Sequence, residues 1–196
     1  MYINDFNISL PFVFLDSSYV IRATPSIVRK LNRGLLWQNP IRFHSLLHKV
    51  INASEKDDQY YNNLIKLQKV GIISHIITMD AINTYFIHNP DVLVLFYKSM
   101  SSMDSDLSTS NLILWGESID STLYSQAKQI IQNASSLIID QTFLQIQVGK
   151  RLVEYAPDHC MKAIIGNSTS TRYEGDTYTF FNVSPQSFIQ NLALSI

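Results

Sequence analysis

The runs GIISHIIT (71–78), NPDVLVLFYKSMSSMDSDLSTSN (89–111), LILWGES (112–118) and SSLIID (135–140) follow one another along the middle of the chain. Their apolar parts are short, rich in Ile, Leu and Val, and bounded by polar or turn residues, which predicts strands covered on both faces. Between LILWGES and SSLIID, the segment IDSTLYSQAKQIIQNA sets Leu123, Ala127, Ile130 and Ile131 at three- and four-residue steps, one face of a crossover helix. Strand, helix and strand in that order predict a βαβ unit and therefore an open, mostly parallel α/β sheet with helices on both faces. Ligands on such sheets sit beyond the carboxyl ends of the strands, so candidate functional residues are expected there.

Working outward, FVFLDSS (12–18) predicts the first strand, and TPSIVRKLN a helix or loop, in the helical case with Thr24 as cap and Pro25 at its first position. Gly34 is expected to close that helix, with Leu35, Leu36 and Trp37 as an apolar anchor ahead of the break at Asn39-Pro40. From Pro40 to Ala53, Phe43, Leu46, Leu47 and Val50 define an amphipathic helix. A further helix is expected from Tyr60 to Val70, with Tyr60, Leu64 and Leu67 on its apolar side, Tyr61 a candidate for the same side, and Gly71 ending it. A short helix is expected over Asp80–Phe86, a strand over 91–97 and an exposed Ser/Asp/Met loop over 99–110. Beyond SSLIID, the pattern predicts a helix over 142–155, a strand over MKAIIGN (161–167), an edge strand over TYTFFNV (177–183) and a terminal helix capped by Ser184 with Pro185 following.

At 196 residues and 46% hydrophobic, the chain can bury a full core, and one domain over 1–196 is the simplest count. A net charge of −1 with scattered Lys and Arg marks no nucleic-acid surface. The opening MYINDFNISLPFVFL has no basic n-region, and no run approaches about 18 apolar residues, so neither export nor membrane spanning is expected. The single Cys160 excludes an internal disulfide and any zinc site built on several thiolates of the chain, consistent with an expected cytoplasmic location. The Asn-x-Ser/Thr matches at Asn7, Asn52, Asn133, Asn167 and Asn182 follow from abundant Asn, Ser and Thr.

These pieces resemble, in order and spacing, a sirtuin without its small zinc-binding module. YNNLIKLQKVG (61–71) feeding IISHIIT is similar to the family's A-H-x-x-L-x-x-L…G…I-T-Q-N-I-D, LILWGES to its V-x-F-G-E, and SSLIID to its D-L-x-x-V-I-G-T-S. KAIIGN resembles the family strand that ends in Asn, RGLLW (33–37) its G-L-W, and Trp115-Gly116-Glu117 is the most specific local match. The resemblance implies a Rossmann-like sheet with an NAD crevice at the strand ends.

The chemistry implied by the resemblance is largely missing. Where sirtuins cradle NAD with G-A-G-x-S, because glycine lets backbone approach a pyrophosphate, the chain reads Leu15-Asp16-Ser17-Ser18-Tyr19. T-Q-N-I-D becomes Thr78-Met79-Asp80-Ala81-Ile82, and the G-T-S turn becomes Asp140-Gln141-Thr142. Phe96 stands where the general-base histidine is expected, and a phenyl ring cannot accept a proton. The loop 99–110 replaces the four-cysteine zinc ribbon.

Asp16, Ser17, Ser18, Asp80, Asp140 and Asn167 are thus the crevice positions at which a cofactor would be held. Clustered aspartates would favour a cation or a basic group, although capping of the following helices is the more common role of Asp. His44 and His48, one helical turn apart, have the spacing of a two-histidine metal site; with no third ligand evident, an exposed or hydrogen-bonded role is favoured. His75 is expected as a core or subunit-contact histidine, Glu117 as structural, and Cys160 as a buried, inert thiol. The expected function is a catalytically degenerate sirtuin-like domain without cofactor, acting through a protein partner or self-association. The alternative is an enzyme that binds NAD, an ADP-ribose derivative or a nucleotide and works through Asp80 or Asp140.

Overall fold

The structure, a computed structural model, describes residues 10–16, 30–52, 58–79, 89, 91–95, 113–114, 117–167 and 178–196. Its strands are β1 (Phe12–Asp16), β2 (Ile73–Thr78), β3 (Val92–Val94), β4 (Ser136–Asp140), β5 (Met161–Gly166) and β6 (Tyr178–Asn182). They form one six-stranded sheet in the order β3-β2-β1-β4-β5-β6. Every neighbouring pair is parallel. The chain therefore builds outward from β1 to β3, then returns to the other side of β1 to lay down β4, β5 and β6. That reversal puts a topological switch point between β1 and β4.

The helices are α1 (Arg33–Gln38), α2 (Pro40–Asn52), α3 (Asp58–Lys69), α4 (Ser121–Gln132), α5 (Gln147–Val153) and α6 (Pro185–Leu194). All five residues of β1 are buried, because alternate side chains enter a separate core on each face of the sheet. Phe12 and Phe14 pack with Phe43, Tyr60, Leu64 and Phe188 from α2, α3 and α6. Val13 and Leu15 pack with Ala127, Ile131, Phe143 and Leu152 on the opposite side. Each fully buried Phe or Leu contributes about 1.5–3 kcal/mol, so these two layers are the main source of stability.

Local signals set most boundaries. The N-cap Asn32 accepts from Leu35 N at 2.9 Å, and Asp120 accepts from Thr122 N at 2.8 Å and Leu123 N at 3.2 Å. Those two backbone donors hold the Asp120 carboxyl below its usual range. Gly71, at φ +77°, closes α3 in the left-handed conformation that glycine adopts without strain, while the Ile72 amide donates to the Leu67 carbonyl. Ser184 caps α6 through Ser187 N at 3.1 Å, with Pro185 in the first turn, as expected. The Lys66 ammonium donates to the Ala193 carbonyl at 3.1 Å and ties α3 to the last turn of α6.

Several expectations need correction. The described residues of LILWGES form no strand; β4, not this segment, pairs with β1. Its backbone is tied locally instead: Leu114 N donates to Glu117 Oε2 at 2.9 Å, and Arg33 donates to both Glu117 oxygens at 2.8 and 3.1 Å. Gly34 does not end a helix but lies in the first turn of α1, since Asn32 supplies a cap that starts one. Trp37 is no anchor, being 79% exposed, while Leu35 and Leu36 pack partly against the core. The described strand β3 is shorter than the expected 91–97, with Leu95 in a turn and residues 96–97 outside the described set. His75 is exposed, which removes the core half of the expectation for it. Thr24, Pro25, the expected 80–86 helix, Phe96 and the loop 99–110 lie outside the described residues, as does the side chain of Val50.

The single helix expected over 142–155 is two pieces, a 3-10 turn (Gln141–Gln145) and α5, separated by Ile146 in extended conformation. Gly149 is pressed onto that turn: a Cβ there would lie 3.0 Å from the Phe143 carbonyl carbon and 2.9 Å from its ring. Backbone cannot yield as a side-chain tip can. Gly149→Ala is expected to destabilise the fold by about 1–3 kcal/mol, read as a lower urea midpoint, and an unchanged midpoint would contradict the close approach.

Candidate functional site

The carboxyl ends of β1, β2, β4 and β5 are Asp16, Thr78, Asp140 and Gly166. Asp16 and Asp140 flank the switch point. The β1–β4 register pairs Leu15 with Ile139, so the next step sets the two aspartates side by side on neighbouring strands. Both belong to the face that carries Phe14 and Ile138, because side-chain direction repeats every second residue. Thr78 follows Ile76 onto that face, and Tyr60 approaches it from α3.

These groups bond to one another. The Tyr60 hydroxyl donates to Asp16 Oδ1 at 3.1 Å, and the Thr78 hydroxyl donates to Asp16 Oδ2 at 3.0 Å. Asp140 accepts from Thr142 N at 3.0 Å and so caps the 3-10 turn that follows β4. Asp16 is fully buried, Asp140 is 2% exposed and Gln141 3%. The Gln141 side chain covers the end of β5, where a Cβ on Gly166 would come within 2.7 Å of the Gln141 Cβ. Only a residue without a side chain fits beneath it.

Tyr60 holds its proton well above the ordinary phenol range. Burial is the main cause, since it penalises the phenolate, and the charges of Asp16 and then Asp140 add to it. Tyr60 therefore remains a donor to Asp16 throughout the range in which proteins work.

Of the expected crevice residues, Asp16 and Asp140 do come together. Asn167 lies just past β5 and is exposed. Ser17, Ser18 and Asp80 lie outside the described residues. The capping role holds for Asp140; the residues that Asp16 would cap lie outside the described set, and its carboxyl oxygens accept from the Tyr60 and Thr78 hydroxyls. Sequence reasoning missed Tyr60, Thr78 and Gln141 as part of this cluster. Tyr60 does lie on the apolar side of its helix, and the available signal is that a buried tyrosine hydroxyl requires an acceptor nearby. Glu117 is structural, as expected, through its bidentate bond to Arg33. Cys160 is buried, which pushes its thiol pKa up and leaves it poorly nucleophilic. Among the described residues, no three His, Cys, Asp or Glu side chains are grouped to hold a metal ion. No described helix is long and apolar enough to cross a membrane.

Tyr60→Phe removes one described donor from a buried carboxylate and is expected to cost about 1–3 kcal/mol. The pH dependence has a definite sign. Above about pH 10 an unfolded tyrosine releases a proton that folded Tyr60 retains, so wild-type stability falls as pH rises, and the Phe variant loses that part of the slope. Urea midpoints for both proteins between pH 8 and pH 11 check this; equal slopes would contradict it.

No protein-family model matches the sequence, and no curated protein is significantly similar to it. Solved structures are. A Sir2 mutant bound to a p53 peptide and NAD has 17% identity and a TM-score of 0.68, with 100% of this chain and 98% of that chain covered. Sir2Tm bound to a propionylated peptide gives 16% identity and a TM-score of 0.66 at the same coverage. A structure described as the structural basis of sirtuin substrate affinity gives 16% and 0.70, covering 100% of this chain and 99% of that one. The chain has a sirtuin-like fold.

Proposed function

We propose that this chain is a sirtuin-fold domain that does not turn over an NAD-derived substrate and instead works as a protein-binding, regulatory subunit. The buried carboxylate pair at the switch point carries this reading. In sheets of this topology the switch point is where a dinucleotide's phosphates are received. Asp16 and Asp140 set two buried carboxyl groups there, each already bonded within the protein. An ionised carboxylate about 5 Å from a phosphate repels it by about 3 kcal/mol at an effective dielectric constant near 20, which is more than about a hundredfold in affinity. The Tyr60 and Thr78 hydroxyls that could have faced a ligand donate to Asp16 instead.

A role in protein contact draws support from Trp37 and Ile41, which are 79% and 84% exposed on either side of the Asn39-Pro40 break. An exposed tryptophan is the side-chain type most often found as an interface anchor. The second reading is an NAD- or ADP-ribose-binding protein, supported by the NAD and acyl-peptide ligands of the structurally similar Sir2 proteins.

Isothermal titration of the full chain with NAD and with ADP-ribose separates the two. No binding tighter than about 1 mM is expected, together with no acyl-peptide turnover. Micromolar affinity accompanied by deacylation would overturn the proposal, and micromolar affinity without turnover would establish the second reading.

A further inference from the structure

We propose that His44 and His48 form a two-imidazole site on α2 for a borderline divalent transition cation such as Ni²⁺, Zn²⁺ or Cu²⁺. Residues four apart on a helix lie on one face, with Cβ atoms about 5–6 Å apart, a span that two imidazoles can bridge to one ion. Both histidines are exposed. Their neighbours one residue earlier, Phe43 at 0% and Leu47 at 9% exposure, are buried in the core under α2. That pair of anchors fixes the rotation of the helix and so holds both histidines at the same flank. Phe43 also meets His44 ring to edge at 5.7 Å between centroids.

Imidazole suits all three of these cations. The remaining coordination positions are filled by water, since no third His, Cys, Asp or Glu among the described residues joins the pair. Arg42 and Lys49 are also exposed on α2. They stand about 200° and 100° round the helix from the nearer histidine and leave the chelating flank open. An ion bound across one turn favours the helical over the unfolded chain, so binding and stability are linked.

The test uses the full chain without a polyhistidine tag, titrated calorimetrically with NiCl₂, alongside His44→Gln, His48→Gln and His75→Gln. His75 is a single exposed imidazole on β2 and reports background binding. One Ni²⁺ per chain is expected, weakened tenfold or more by either His44→Gln or His48→Gln and unchanged by His75→Gln. Excess NiCl₂ is expected to raise the melting temperature of wild type and His75→Gln only. Absence of binding to wild type, equal affinity in all four proteins, or loss caused by His75→Gln would each overturn the site.

Discussion

A carboxylate sealed in the interior requires hydrogen-bond donors, and that requirement governs the centre of this molecule. Asp16 ends the central strand with no exposure, and its two oxygens accept from Tyr60 and Thr78. Left without donors, such a group would cost several kcal/mol, so the helix carrying Tyr60 and the strand carrying Thr78 are constrained to meet it. The polar cluster thereby fixes how α3 sits on β1 and β2 at the end of the sheet where ligands of related architectures enter. Strand-end chemistry and fold specificity are one feature here.

Around that cluster the organisation is apolar. β1 is buried on both faces because helices cover both, and the alternating Phe12/Phe14 and Val13/Leu15 sets feed two separate cores. Leu114 and Glu117 are held differently, by Glu117 bonding to Arg33 and to Leu114 N. That ion pair is a quarter exposed on each side, so its charge term is modest and its value is geometric: the bidentate fork sets the path of the chain into α4.

The sheet was legible because its strands are short Ile/Leu/Val runs and its helices keep strict spacing with clear caps, as at Ser184-Pro185 and Gly71. LILWGES misled because apolar composition alone does not make a strand: among its described residues Leu114 is buried, yet its amide is satisfied by the Glu117 side chain and not by a neighbouring strand. Gly34 misled because a capping Asn two residues earlier outweighed its helix-ending tendency. At the site, the aspartates were visible as polar residues closing apolar runs. Their donors were not, since Tyr60 is 44 residues away from Asp16 and Thr78 is 62 away: the parallel register between β1 and β2 brings Thr78 within reach, and the packing of α3 on that face brings Tyr60. The sirtuin resemblance was carried by the order and spacing of elements, and the structural likeness spans the whole chain at 16–17% identity.

The central claim is that Asp16 stays bonded within the protein in place of yielding the switch point to a diphosphate. A crystal structure of the protein soaked in millimolar ADP-ribose tests it most directly. Asp16 is predicted to keep Tyr60 and Thr78 within hydrogen-bond distance, with no diphosphate density at the ends of β1 and β4. Density for a diphosphate lying against those ends, with the Asp16 carboxylate turned away from Tyr60, would contradict it.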